Sequence, residues 1–181
     1  MSHYRRLRSQ GGTFFFTVVT YHRRRMLLDA LLRLALRSAV SKTRKILPFR
    51  NDAWVLLPDH MHCLWTLPAS DADYSLRWTL IKQEVTRISR EVYGEHHQLS
   101  LLRLKRRESS VWQRRFWEHQ IRDETDFARH VDYIHWNPVK HGLVARASEW
   151  PYSTFHRYVK EGRYSLDWGV TEDGDDGEFG E

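Results

Sequence analysis

The sequence predicts an α+β fold: a ferredoxin-like split βαβ arrangement with a four-stranded antiparallel sheet, an additional helix and a C-terminal extension. Three observations predict it. Apolar segments follow one another in the order strand, helix, strand, strand, helix, strand, helix, and the first six match the split βαβ order. Only Pro58-Asp59 separates two strand-like runs, so those strands must pair antiparallel through a short turn. With 181 residues, 41% hydrophobic and 13% aromatic, the chain is long and apolar enough to bury one core.

The elements follow in order. Residues 1 to 12 form a polar arm with Arg5, Arg6 and Arg8, closed by Gly11-Gly12. Thr13 to Thr20 is a dense run of aromatic and β-branched residues and reads as a buried strand. Asp29 caps a helix running through Leu31, Leu32, Leu34, Ala35 and Val40 to about Lys45. Asp52 to Leu57 and His60 to Leu67 are the two strands joined at Pro58-Asp59. Ser75 to about Tyr93 is an amphipathic helix whose buried stripe is Leu76, Leu80, Ile81, Val85 and Ile88, and Gly94 ends it. Residues 95 to 110 are polar and basic and carry no clear period. A fourth strand falls around Phe116 to Ile121, and a third helix runs from Glu124 to about Asn137, ahead of Pro138. Trp150-Pro151-Tyr152 opens a short C-terminal element. We divide the chain into one domain over 1 to 166 and an acidic tail over 167 to 181, expected to be disordered from Gly169 onward.

Composition narrows the function. The single cysteine, Cys63, allows neither an internal disulfide nor a multi-cysteine zinc site, which suits a reducing interior. No stretch approaches a membrane span and no apolar leader is evident, so the expected location is the cytoplasm. The net charge of +6 understates the basicity. The seven acidic residues from Asp167 to Glu181 have no Lys or Arg among them, so residues 1 to 166 hold 29 basic against 16 acidic groups. Such a body suits a polyanion, with nucleic acid first. The densest clusters are Arg23-Arg24-Arg25, the Arg103, Lys105, Arg106 and Arg107 group, and Arg114-Arg115. Eight tryptophans and eight tyrosines accompany them, and aromatic faces stack on unpaired bases while cations track phosphates. A run of charge is equally compatible with a solvated face.

Two constellations carry chemistry. In His60-Met61-His62, strand alternation sends both imidazoles to one face and Met61 and Cys63 to the other. Two imidazoles so placed form a half-site for a divalent metal, although a bare His-x-His also occurs with no ligand. On the third helix, Phe127, Val131 and Ile134 form the core stripe, and Tyr133 lies off it. Asn137 follows Tyr133 by four residues and shares its face. A tyrosine beside a cation is a competent nucleophile for phosphoryl transfer, and an asparagine oxygen is a neutral metal ligand. A boundary tyrosine with an asparagine C-cap would look the same.

Taken together, these segments resemble the single-tyrosine insertion-sequence transposases with a histidine-hydrophobe-histidine (HUH) motif, and more narrowly the REP-associated tyrosine transposases. The resemblance spans Tyr4 to Val159 and rests on GGTFFFTVVTYHRR, WVLLPDHMHCLWTLP, FWEHQIRDETDFARHVDYIHWNPVKHGLV and WPYSTFHRYV. It implies that His60 and His62 hold Mg²⁺ or Mn²⁺, that Asn137 is a third ligand and that Tyr133 is the nucleophile. It further implies single-stranded DNA beside a hairpin as substrate, a 5′-phosphotyrosine intermediate and a free 3′-hydroxyl. Relatives of the REP-associated kind lead us to expect a monomer; dimers occur among the insertion-sequence enzymes. Other readings are a hairpin-binding regulator that does not cut, an RNA-binding protein on the same sheet, and a zinc hydrolase. The last lacks a third protein ligand with a carboxylate base beside it.

Overall fold

The computed structural model describes residues 10–93 and 111–169. The basic group at Arg103, Lys105, Arg106 and Arg107, the N-terminal arm and the tail from 170 onward lie outside the described residues.

Four strands, β1 (Gly12–Val19), β2 (Arg50–Leu56), β3 (His60–Leu67) and β4 (Trp117–Gln120), form one sheet in the order β2-β3-β1-β4. Every adjacent pair is antiparallel. That is the split βαβ order the sequence predicts. Its helices are α1 (Ala30–Ile46), α2 (Tyr74–Tyr93), α3 (Glu124–Lys140) and a short α4 (Phe155–Lys160).

Alternation in β1 sorts its three phenylalanines. Phe14 and Phe16 join the core beneath α1 and α2, with Trp65, Tyr74 and Trp78. Phe15 faces the other way, into a second core with Ala53, Val55, Leu64, Val131 and Ile134 of α3. Both faces of the sheet are therefore covered. The strands read as near-continuous apolar runs because neither face meets water. Met61 and Cys63 fall on the α1 and α2 side, as alternation requires.

Capping fixes where the helices begin. The Asp29 carboxylate accepts hydrogen bonds from the Leu31 and Leu32 amides, and Asp123 accepts from the Asp126 amide. Helix α2 is anchored by Arg77, which is fully buried. Its guanidinium donates to the Asp71 carboxylate at 2.6 Å and to the carbonyls of Leu47, Pro48 and Asp73.

Two boundaries differ from the sequence expectation. Helix α3 does not stop at Asn137 but continues through Pro138 to Lys140. A proline in the last turn forfeits one helical donor, and the end is closed instead by the His141 amide on the Asn137 carbonyl and the Leu143 amide on the Pro138 carbonyl. The C-terminal element comprises a 3-10 turn at Ala147–Glu149 followed by α4. Residues 152–154 run beside β2, with the Leu56 amide on the Tyr152 carbonyl and the Thr154 amide on the Trp54 carbonyl. This segment covers an edge that would otherwise expose unpaired backbone groups. Beyond α4, Trp168 stacks near Tyr164 with ring centroids 4.4 Å apart.

Candidate active site

The candidate site lies between the sheet and α3. His60 opens β3, and His62 follows on the same face, with ring centroids 5.0 Å apart. Both side chains are buried, at 2% and 0% exposure. These are not surface strand histidines, because α3 covers the face they occupy.

Each imidazole is oriented by a neighbour. The Nδ1 atom of His60 lies 2.6 Å from the Asp59 carboxylate, and the Nδ1 atom of His62 lies 2.9 Å from the Thr17 hydroxyl. Thr17 reaches His62 because the two are directly opposed in the β1:β3 register. With Nδ1 engaged in both rings, Nε2 is the edge each ring presents to a ligand. Outer partners of this kind fix the tautomer and direction of metal-binding histidines. Burial alone would raise the Asp59 carboxyl. The hydrogen bond and charge of His60, together with Arg23, hold it below the usual carboxylate range.

Helix α3 brings the remaining groups. Tyr133 is 6% exposed, and its ring lies edge-on to His62 with centroids 5.2 Å apart. The sequence places it off the core stripe, but it is buried in the same core as Val131 and Ile134. Phe15 packs against it, ring centroids 6.0 Å apart. Asn137 is fully buried and lies one turn further along the same face. Its Oδ1 and the two Nε2 atoms are all buried. Two imidazole nitrogens and an amide oxygen form a donor set that fits a divalent ion.

Sequence reasoning missed four residues here. Asp59 and Thr17 orient the histidines. The Lys140 ammonium sits 4.9 Å from the Tyr133 ring centroid, and the His141 ring lies 5.1 Å from that of His60. Lys140 and His141 could have been found: they follow Asn137 by three and four residues, which returns them to the same helical face. Thr17 could not, because it arrives from 45 residues away through strand register.

Of the basic clusters, Arg23-Arg24-Arg25 and Arg114-Arg115 adjoin the end of the sheet where β1 ends and β3 begins. Arg23 pairs with Asp59 at 3.4 Å, and the Thr20 hydroxyl lies 2.8 Å from both the Arg24 and Asp59 carbonyls. His22 and Arg23 hold left-handed backbone angles, φ 54° and 50°, which non-glycine residues seldom adopt outside functional turns. Residues 111–113 run beside the same end, through the Gln113 amide on the Val19 carbonyl and the Tyr21 amide on the Val111 carbonyl. Arg25, Arg114 and Arg115 are exposed there. The structure thus groups two of the three basic clusters near His60.

The chain is 48% identical over 168 residues to a REP-associated tyrosine transposase of Escherichia coli, covering 93% of this chain and 91% of that protein. It belongs to the REP-associated tyrosine transposases. A relative from Haemophilus influenzae is 46% identical over 173 residues, 96% of each chain. Among solved structures, a REP-associated tyrosine transposase bound to a REP hairpin matches with a TM-score of 0.78, 47% identity and 98% coverage of both chains. No protein-family model matches the chain. Membership accounts for the fold, and no helix among the described residues is long and apolar enough to cross a membrane.

Proposed function

We propose that this transposase is a metal-dependent endonuclease and strand transferase acting on single-stranded DNA beside a REP-like hairpin. The observation that carries the proposal is the meeting of Tyr133 with His62 across the sheet–α3 interface, ring centroids 5.2 Å apart, in a chain of this family. The transposase known as a complex with a REP hairpin supports the choice of DNA.

His60 and His62 would hold the ion through Nε2, and Asn137 through its amide oxygen. Bound there, Mg²⁺ or Mn²⁺ supplies positive charge to the oxygens of the scissile phosphate. Imidazole ligands suit Mn²⁺ at least as well as Mg²⁺. The Tyr133 hydroxyl loses its proton and attacks phosphorus, forming a tyrosyl Oη–P bond as the P–O3′ bond breaks. The departing 3′-oxygen takes up a proton. The product is a 5′-phosphotyrosine link with a free 3′-hydroxyl, and the number of phosphodiester-type bonds is unchanged. A second 3′-hydroxyl therefore reverses the step and joins new ends with no nucleotide cofactor. The Lys140 ammonium, 4.9 Å from the Tyr133 ring centroid, places a cation beside the nucleophile. Arg23, Arg24, Arg25, Arg114 and Arg115 would bind DNA phosphates, and Arg103, Lys105, Arg106 and Arg107, outside the described residues, are assigned the same role from their charge alone. We assign the reaction to a monomer whose catalytic unit ends near residue 166.

The test is cleavage of an end-labelled hairpin oligonucleotide with an unpaired flank, with Mg²⁺, with Mn²⁺ and with chelator. Cutting that needs the ion and is lost in Tyr133→Phe supports the reading. Tight hairpin binding without cutting under either metal would make the protein a hairpin-binding regulator instead.

A further inference from the structure

A second cluster of ligating side chains lies away from His60 and His62. His119 on β4, Asp126 in the first turn of α3 and His130 one turn later offer ligand atoms that all lie within 4.8 Å of one another. His119 Nε2 is 2.9 Å from one carboxylate oxygen of Asp126, and His130 Nδ1 is 3.0 Å from the other. We propose that His119, Asp126 and His130 form a second metal site, for a Zn²⁺-class transition ion, that ties the edge strand β4 to the helix carrying Tyr133.

The donor set selects the ion. The two imidazoles are borderline ligands that favour Zn²⁺, Co²⁺ or Ni²⁺ over Mg²⁺, and a carboxylate is an accepted third ligand for zinc. Around tetrahedral zinc with bonds of about 2.0–2.1 Å, neighbouring ligand atoms sit roughly 3.4 Å apart. The two short separations need to open by a few tenths of an ångström, and the His119–His130 separation, within 4.8 Å, must settle near the same value. His119 Nε2 and His130 Nδ1 must turn their lone pairs to the ion, which requires the matching neutral tautomers and the release of His130 Nδ1 from the Asp126 backbone carbonyl 2.8 Å away. Burial pulls His130 below the usual imidazole range, and Asp126 is lowered by His119 and the Arg122 amide against its own burial.

The surroundings hold the ligands in place. The His119 and His130 rings are nearly parallel, 11° apart, with centroids at 4.8 Å. Trp117 stacks on His119 from outside, and Phe15 packs on His130 from inside. The Arg122 amide donates to Asp126, steadying the carboxylate. The side chains of His119 and Asp126 retain 21% and 19% exposure, which gives an ion a path in. The cluster is not an extension of the candidate active site. The Phe15 ring contacts both His130, at 4.8 Å, and His62, at 5.4 Å, so an aromatic ring bridges the two centres. They do not form a paired-metal site of the kind whose ions share a phosphate about 4 Å apart.

β4 has only four residues and pairs on one side alone, with β1. A metal across His119 and His130 would fasten this edge to α3, one turn ahead of Tyr133. The test uses the full chain with His60→Ala and His62→Ala, so that the first centre cannot contribute. Chelator-treated protein is titrated with Co²⁺ by visible absorption and then with Zn²⁺. The expected result is a ligand-field spectrum, displaced by one equivalent of Zn²⁺. It should disappear when either Asp126→Asn or His119→Gln is added, with unchanged circular dichroism. Zn²⁺ at roughly a hundredfold excess over Kd should raise Tm by about 5–10 °C in the parent and not in the added variants. No visible spectrum, or one unmoved by both substitutions, would mean a hydrogen-bonded triad that takes no metal. Because hairpin cleavage is not the readout, this outcome is independent of the proposed reaction.

Discussion

At the scale of single residues, the candidate site depends on atoms that never touch a substrate. Asp59 and Thr17 each hold one Nδ1 and so aim one Nε2. Asp59→Asn and Thr17→Val should each weaken Mn²⁺ binding by about 10–100-fold, measured by calorimetry, with the fold intact. Unchanged affinity in both would remove the orienting role. Elsewhere the buried Arg77 depends on Asp71, whose carboxyl is held below its usual range chiefly by the Arg77 hydrogen bond. The sign follows: a carboxylate lowered on folding stabilises fully above its unfolded value of 3.8, and that stability is lost as pH falls through the folded value. Asp71→Asn should cost about 3 kcal/mol at neutral pH and flatten the acid limb of the stability profile, read by urea unfolding across pH. What was legible in the sequence at this scale was any group whose partner is close in the chain. His60 with His62, and Tyr133 with Asn137, follow directly from periods of two and 3.6. Thr17 was hidden because register, not spacing, brings it to His62.

At the scale of elements, α3 does the most. It sets Tyr133 against His62, plugs Val131 and Ile134 into the sheet, and meets the residue that precedes α4 through His135 and the Thr154 hydroxyl at 2.9 Å. A helix buried on several sides loses its simple stripe, which is why Tyr133 read as lying off the core. Pro138 likewise suggested an end that the last turn overrode. Ile134, with no exposure, is the plug of this interface. Ile134→Ala should destabilise the protein by about 2–5 kcal/mol in denaturant titration. A loss below 1 kcal/mol would mean that α3 is held by other contacts. The strands were easier to read than the helix ends, since TFFFTVVT and HMHCLWTL are dense in aromatic and β-branched residues, although the cover that α3 gives their second face was not legible.

For the whole molecule, the sheet order, the two cores and the position of the basic turns form one arrangement. Alternation puts three phenylalanines of β1 into two cores, and the same alternation separates His60 and His62 from Met61 and Cys63. Arg23 pairs with Asp59, which holds His60, so part of the charge read from composition adjoins the motif read from spacing. Neither signal alone told where the other lay, because their proximity is a product of topology. The central claim is that Tyr133 becomes covalently joined to DNA. The most direct measurement is mass spectrometry of peptides recovered after reaction with a hairpin oligonucleotide and Mn²⁺. A nucleotide adduct on the peptide containing Tyr133, absent with chelator and absent in Tyr133→Phe, is the predicted result. Cleavage that proceeds with no adduct, or with an adduct on another residue, would contradict the account.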